Sequence, residues 1–290
     1  MPLKLYDLVS DVPRSPFFSP ACVRTRLSLL TKGITDFETV EVRYSELREV
    51  WKPRFGVEKA TAPFIELEDG TFLMDSVEIA LWLDKTYPNR QNLFLPEAPL
   101  PVHVESAKYK AAVEDYHTHE RAVSQRPHAA QWVAVGSTPA PGSAKGELSL
   151  AQLVFMLFAR RMVRNFDEET AEYWTSVGRM GEGAWEYLSS QSDEKDVETV
   201  ELLRTKLAQL SPTELPEGSN FISSPSKPGL KDFSVCGIYR LLHSVSASLA
   251  AETFGHPEAG AWAAWLVRME GLYGDGEEGL RKYWERDAKE

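Results

Sequence analysis

Ser19-Pro20-Ala21-Cys22-Val23-Arg24-Thr25-Arg26 is the stretch that most constrains this chain. It follows an apolar run, Leu3-Lys4-Leu5-Tyr6-Asp7-Leu8-Val9, across a loop. Ser is a good N-cap and Pro is suited to the first position of a helix. Val23, Leu27 and Leu30 then share one face, and Gly33 ends the pattern. The expected elements are a strand and a helix over residues 20–32. The cap holds a Ser hydroxyl where unpaired backbone N–H groups and the positive end of the helix dipole converge. Such a place stabilises an anion, a thiolate included.

The pattern continues as β-α-β, an irregular piece, then β-β-α. Phe37-Glu38-Thr39-Val40-Glu41-Val42 alternates apolar and acidic residues, as a half-buried strand does. Residues 45–61 have no clean period, and a short helix is expected over 45–51. Phe64-Ile65-Glu66-Leu67 and Thr71-Phe72-Leu73-Met74 flank Glu68-Asp69-Gly70, a hairpin signal. A helix after Ser76 ends before Pro88. Leu95-Pro96-Glu97-Ala98-Pro99-Leu100-Pro101 reads as a linker. Everything beyond it is helical in period: around Leu150–Phe158, over 200–210, over 233–249 as one buried helix, and from Trp262 to Leu272. Residues 136–147 and 211–231 read as loop inserts. The expected domains are 1–94, a linker at 95–101, and 102–290.

Composition narrows the function. The 290 residues are 43% hydrophobic and 26% charged, ordinary for a soluble globular protein. A net charge of -11 argues against nucleic acid and against an anionic membrane surface. Two Cys are too few for a disulfide framework and suit a reducing, cytoplasmic setting. No run approaches the roughly 20 apolar residues of a membrane helix. No Walker loop, zinc-type Cys/His spacing or dinucleotide Gly fingerprint occurs, so no metal is expected.

Three anchors in order carry a resemblance: Ser19-Pro20 with Arg24-Thr25-Arg26, then Ala62-Pro63-Phe64, then Asp75-Ser76 leading to Glu78-Ile79-Ala80 and Leu83-Asp84. Together they make the chain resemble the cytosolic glutathione transferases over almost its whole length. The resemblance implies an α/β N-terminal thioredoxin-like domain followed by an all-α domain, glutathione as co-substrate, and a homodimer. Ser19 occupies the position of the first Cys in the Cys-Pro-x-Cys motif of thioredoxin-like proteins, and Cys22 that of the second. In such families the catalytic residue lies five positions before the first Arg of the Arg-x-Arg helix. Ser19 meets that spacing to Arg24, whereas Ser15 and Ser10 do not.

The resemblance further implies site residues. Ser19 stabilises the glutathione thiolate. Pro63 is cis, and Ala62 presents backbone to the cysteinyl part of the tripeptide. Asp75 and Ser76 take the γ-glutamyl end, although Ser76 also reads as a plain N-cap. Lys52, Arg54 or Lys59 takes the glycine carboxylate. Phe17 and Phe18 flank the electrophile, and Tyr109, Tyr116 and Trp132 are candidates to line its pocket or to be core. Cys22 reads either as a low-pKa thiol or, more in keeping with its type, as a small buried residue. Cys236 reads as core. His117 and His119 face different ways on a helix and suggest no metal. Gly229-Leu230-Lys231-Asp232 replaces the usual hydroxyl of a capping box with Gly.

Among such enzymes the motifs look most like bacterial Ser-type lignin β-etherases and the fungus-specific FuA class. That similarity implies thiolate attack on hydrophobic aromatic electrophiles and binding of wood-derived aromatics. The alternative is a ligandin, a carrier of aromatic compounds with little turnover.

Overall fold

A computed structural model describes residues 2–10, 17–124, 148–210, 220–276 and 279–281. Its sheet has four strands, β1 (Lys4–Leu8), β2 (Glu38–Val42), β3 (Phe64–Glu66) and β4 (Phe72–Met74), in the order β2-β1-β3-β4. β1 and β2 are parallel, with Lys4 opposite Glu38 and Leu8 opposite Val42. Parallel neighbours need a crossover, and helix α1 (Pro20–Thr31) supplies it. β3 runs antiparallel to both β1 and β4. Inner strand β1 buries Leu5, Tyr6, Asp7 and Leu8, whereas edge strand β2 keeps Glu38 and Glu41 exposed. The β3–β4 hairpin turns at Gly70, whose φ of 83° suits glycine, and Asp69 accepts the Thr71 N–H at 2.9 Å.

Between β2 and β3 the chain is more helical than the sequence suggested. A short α2 (Tyr44–Glu46) passes through a wide π turn over Leu47–Trp51 into α3 (Lys52–Phe55), which Gly56 ends at φ 63°. The reason is packing. Trp51 is driven inward against Tyr6, Phe55, Phe64 and Phe72, with ring centroids 4.7–5.7 Å apart. After β4 comes α4 (Ser76–Thr86). It is tied to the end of α1 by a fully buried pair, Lys32 Nζ to Asp84 Oδ1 at 2.6 Å. Burial lowers the pKa of Lys32 and raises that of Asp84, and each partner opposes the shift of the other. Asp84 also accepts from the Leu93 N–H at 3.0 Å and the Tyr109 hydroxyl at 3.1 Å.

The helical region contains α5 (Ala107–Ser124), α6 (Leu150–Met162), α7 (Glu168–Thr175), α8 (Val177–Met180), α9 (Ala184–Ser189), α10 (Asp193–Gln209), α11 (Leu230–His243), α12 (Ala247–Thr253) and α13 (Trp262–Tyr273). α11 is its axis, buried from Leu230 to Leu242 apart from Lys231, and packs on α1, α5, α6 and α12. The expected single helix over 233–249 is in fact two. α11 stops at His243, and Ser246 caps α12 by accepting the Leu249 N–H at 3.1 Å. Apolar residues on both sides of the break hid it from a periodicity reading. α10 starts seven residues earlier than residue 200, because its first two turns are mostly charged.

Residues 230 and 231, expected in a loop, begin α11. The expected insert at 136–147, Trp132, Ser15 and residues 211–219 of the second insert lie outside the described residues. No helix among the described residues is long and apolar enough to cross a membrane.

Gly229 at the start of α11 is required by space. A Cβ there would lie 2.6 Å from Pro96 Cγ, 2.7 Å from the Leu93 carbonyl and 2.9 Å from Ser223 Cβ. The hydroxyl arm of the capping box has no room. Asp232 keeps the other arm, accepting the Gly229 N–H at 3.1 Å.

Candidate functional site

Topology gathers the sequence anchors at one edge of the sheet. Register sets Leu8 beside Val42, Phe64 beside Tyr6, and Met74 beside Phe64. The ends of β1, β2 and β4 and the start of β3 therefore share that edge. Ser19 follows β1, Tyr44 follows β2, Ala62-Pro63 precedes β3, and Asp75-Ser76 follows β4.

Ser19 is the N-cap of α1 and is 7% exposed. Its carbonyl accepts the Val23 N–H at 3.1 Å, and its Oγ accepts the Cys22 N–H at a long 3.4 Å. Oγ thus accepts from that N–H, and the Cys22 thiol is its other hydrogen-bonding neighbour among the described residues. Pro20 has no N–H, and the Ala21 N–H has no partner among the described residues. Hydroxyl, free N–H and helix dipole all favour an anion here. Cys22 is the reverse. It is fully buried, and burial, then Asp7, push its thiol well above the usual range. It is core, as is Cys236, whose thiol burial pushes up to about 12. Neither supplies a thiolate for disulfide chemistry.

At the start of α4 the N-cap is Asp75, one residue before the expected Ser76. Asp75 Oδ1 accepts the N–H groups of Val77 at 2.7 Å and Glu78 at 3.2 Å. Its φ of 80° is the only positive value for a non-glycine among the described residues. Backbone held in that region concentrates at functional sites. Ser76 is buried beneath it, and its Oγ accepts from Arg24 Nε at 3.2 Å and Nη2 at 2.9 Å. With both acceptor directions used, the Ser76 hydroxyl has only its proton left to give. The turn therefore offers an O–H and a helix-start N–H beside the exposed Asp75 carboxylate, a pairing suited to a group with both a carboxylate and an ammonium.

Arg24, only part of a motif in the sequence, is the hub behind this turn. Besides Ser76 it reaches the Tyr116 hydroxyl at 2.6 Å, Ser234 Oγ at 3.0 Å and Glu120 Oε1 at 2.8 Å. Burial disfavours its charge, and Tyr116 and Glu120 more than restore it. One guanidinium thus joins α1, α4, α5 and α11. An Arg inside the buried face of α1 was the available signal.

The Ala62–Pro63 bond is cis. Across the hairpin the Thr61 N–H meets Met74 Sδ at 3.3 Å. Lys52, Arg54 and Lys59 are all exposed. Arg54 lies over both Trp51 and Phe72, its Cζ 4.9 and 4.7 Å from the ring centroids.

Phe18, next to Ser19, opens an aromatic wall shared with the helical region. Its ring centroid lies 6.4 Å from Tyr44, 6.0 Å from Phe158 and 6.3 Å from Phe166. Trp174 continues the wall 5.4 Å from Phe166. Arg48 straps the two regions together, pairing with Glu169 at 2.6 Å and lying over Tyr173. Apart from Phe18, nothing in the sequence pointed to these residues. Phe17 pairs with Val9 in an isolated bridge and is buried. Tyr109 and Tyr116 are buried with their hydroxyls taken by Asp84 and by the Arg24 cluster, so they are placed as core groups. Among the described residues no group of three or more His, Cys, Asp or Glu could hold a metal ion.

Residues 17–91 match the family model described as glutathione S-transferase, N-terminal domain. The matched segment contains Ser19, Pro63, Asp75 and Ser76. The whole chain shares its fold with solved glutathione transferases, fungal ones of the FuA class among them. CsGST63524 of Ceriporiopsis subvermispora, determined in complex with glutathione, is 19% identical, with 94% of this chain and 98% of that chain covered and a TM-score of 0.64. GSTFuA3 of Phanerochaete chrysosporium is 17% identical, with 100% and 99% covered and a TM-score of 0.59. A search of curated proteins finds no match.

Proposed function

We propose that this chain is a Ser-type glutathione transferase that adds the glutathione thiolate to hydrophobic aromatic electrophiles. The observation that carries the reading is the Ser19 hydroxyl at the start of α1, on the same sheet edge as cis-Pro63 and the Asp75-Ser76 turn. The γ-glutamyl carboxylate takes the Ser76 hydroxyl and N–H, and its ammonium faces Asp75. Ala62 offers backbone to the cysteinyl unit. Lys52 and Arg54 take the glycine carboxylate, and Arg54 is the better held of the two. Solved relatives of the same fold carry glutathione, which supports the assignment.

The chemistry follows from the site. A free thiol titrates near ~8.5. Donation from Ser19 and the α1 dipole favour the charged form and lower that value. The S–H proton goes to water. The sulfur lone pair forms the new C–S bond, and the displaced pair leaves with the departing group. Holding the two reactants together can supply ~7–11 kcal/mol. Phe18, Tyr44, Phe158 and Phe166 are the side from which an aromatic electrophile would be held. A homodimer and a cytoplasmic setting belong to the same proposal.

Turnover of isothiocyanates, a chlorinated nitrobenzene, a hydroperoxide and a β-aryl ether with glutathione tests the reading, wild type against Ser19→Ala. A loss of at least about tenfold, ~1.4 kcal/mol, with dye binding intact supports it. No turnover by wild type, with tight glutathione-sensitive binding of a fluorescent aromatic dye, makes the chain a carrier instead.

A further inference from the structure

Helix α11 lies directly against the first turn of α1. A Cβ at Gly237 would sit 2.6 Å from the Pro20 carbonyl oxygen, 2.7 Å from Pro20 Cα and 3.0 Å from its carbonyl carbon. The obstacle is backbone, which no rotamer change removes. One turn earlier on α11, Ser234 Oγ accepts from Arg24, one turn beyond Pro20 on α1. The two helices are therefore registered at two points near the start of α1. Ser19 is bonded to Pro20, and its carbonyl and hydroxyl accept from Val23 and Cys22. It cannot shift independently of that turn.

We infer that Gly237 is a positioning residue. By carrying no side chain it lets the helical region set where the Ser19 hydroxyl stands relative to the glutathione sulfur. This rests on the Ser19 reading above. A larger residue at 237 forces the first turn of α1 away from α11 and carries Ser19 with it. The Asp75-Ser76 turn lies on another helix and meets α1 through Arg24, one turn beyond the Pro20 backbone that a side chain at 237 would press. Thiolate stabilisation should therefore change more than glutathione affinity.

The test is Gly237→Ala in the full chain, beside Ser19→Ala and the double variant. The thiol pKa of bound glutathione is read from thiolate absorbance against pH, together with kcat and KM. Gly237→Ala is expected to raise the bound thiol pKa by about one unit and to lower kcat roughly tenfold, with KM for glutathione little changed. In the double variant Gly237→Ala should add nothing to Ser19→Ala, since it acts through Ser19. A lower melting temperature with wild-type pKa and kcat would overturn the inference, because a merely structural glycine behaves that way. If Gly237→Ala does not fold, Ser234→Ala carries the test. It adds no volume and loosens the second point, so a smaller upward pKa shift is expected, and an unchanged pKa overturns the inference. If Ser19→Ala itself leaves the pKa unchanged, the Ser19 reading fails and this inference with it. If Ser19→Ala raises the pKa and neither α11 variant does, only this inference fails.

Discussion

Helices α4 and α11 each cap their first turn with an Asp, Asp75 as the N-cap of α4 and Asp232 as the third residue of α11, and the two carboxylates do opposite work. Asp232 is fully buried and accepts four N–H groups, from Ile222 at 2.9 Å, Ser223 at 2.9 Å, Gly229 at 3.1 Å and Trp265 Nε1 at 2.8 Å. Asp75 is exposed, and only its Oδ1 is used, by two N–H groups of its own helix. Its Oδ2 has no partner among the described residues. A capping carboxylate whose capacity the chain consumes is structural. One left half-used at a sheet edge, beside a hydroxyl that still has a bond to donate, has capacity left for a ligand.

The largest break in that comparison comes from Asp232→Ala, which leaves four donors without their acceptor. It is expected to cost about 3–5 kcal/mol of stability, seen in denaturant titration, and to lose activity only because folded protein is lost. Gly229→Ala should cost about 1–3 kcal/mol by overpacking Pro96 and Leu93, with turnover per folded molecule unchanged. A large loss of turnover in well-folded Gly229→Ala would mean that the start of α11 also serves the site.

Asp75→Asn keeps a capping oxygen and removes the charge. It should raise KM for glutathione about tenfold, ~1.4 kcal/mol, with melting temperature nearly unchanged. Equal KM in wild type and variant would make Asp75 as structural as Asp232. Cys22→Ala should leave glutathione-dependent turnover unchanged, because the thiol is buried and protonated.

The smallest effect is one of pH. Burial, then Lys231, lowers the pKa of His119. Between that lowered value and ~6.5 the unfolded chain binds a proton that the folded chain does not. Stability should therefore fall as pH drops through this window and level off below the folded pKa. His119→Asn should flatten that part of the stability curve, and an identical slope in both proteins would remove His119 as its source.

The residues near the sheet edge were legible because local chemistry marks them. Ser19-Pro20 announces a helix start, Pro63 a special peptide bond, and Asp69-Gly70 a hairpin. Each signal lies within a few residues of its consequence. The aromatic wall gave none. Phe158, Phe166 and Trp174 come from helices whose periods say only that they face inward. Tyr109 and Tyr116 look like pocket residues in sequence, yet in the fold both are buried, Tyr109 donating to Asp84 and Tyr116 accepting from Arg24. The helix break at Ser244–Ser246 was hidden because both flanks are apolar.

The sequence by itself determined the strands, the Ser19 cap and the order β-α-β, β-β-α, since propensity, turn chemistry and hydrophobic period act over short stretches. Only the tertiary structure decided that Arg24 locks Ser76 to α5 and α11, that Gly229 leaves room for the linker, and that Gly237 admits the backbone of Pro20. These contacts join residues tens to hundreds of positions apart. What a side chain does there depends on which backbone and which partner arrive beside it, and no local pattern carries that information.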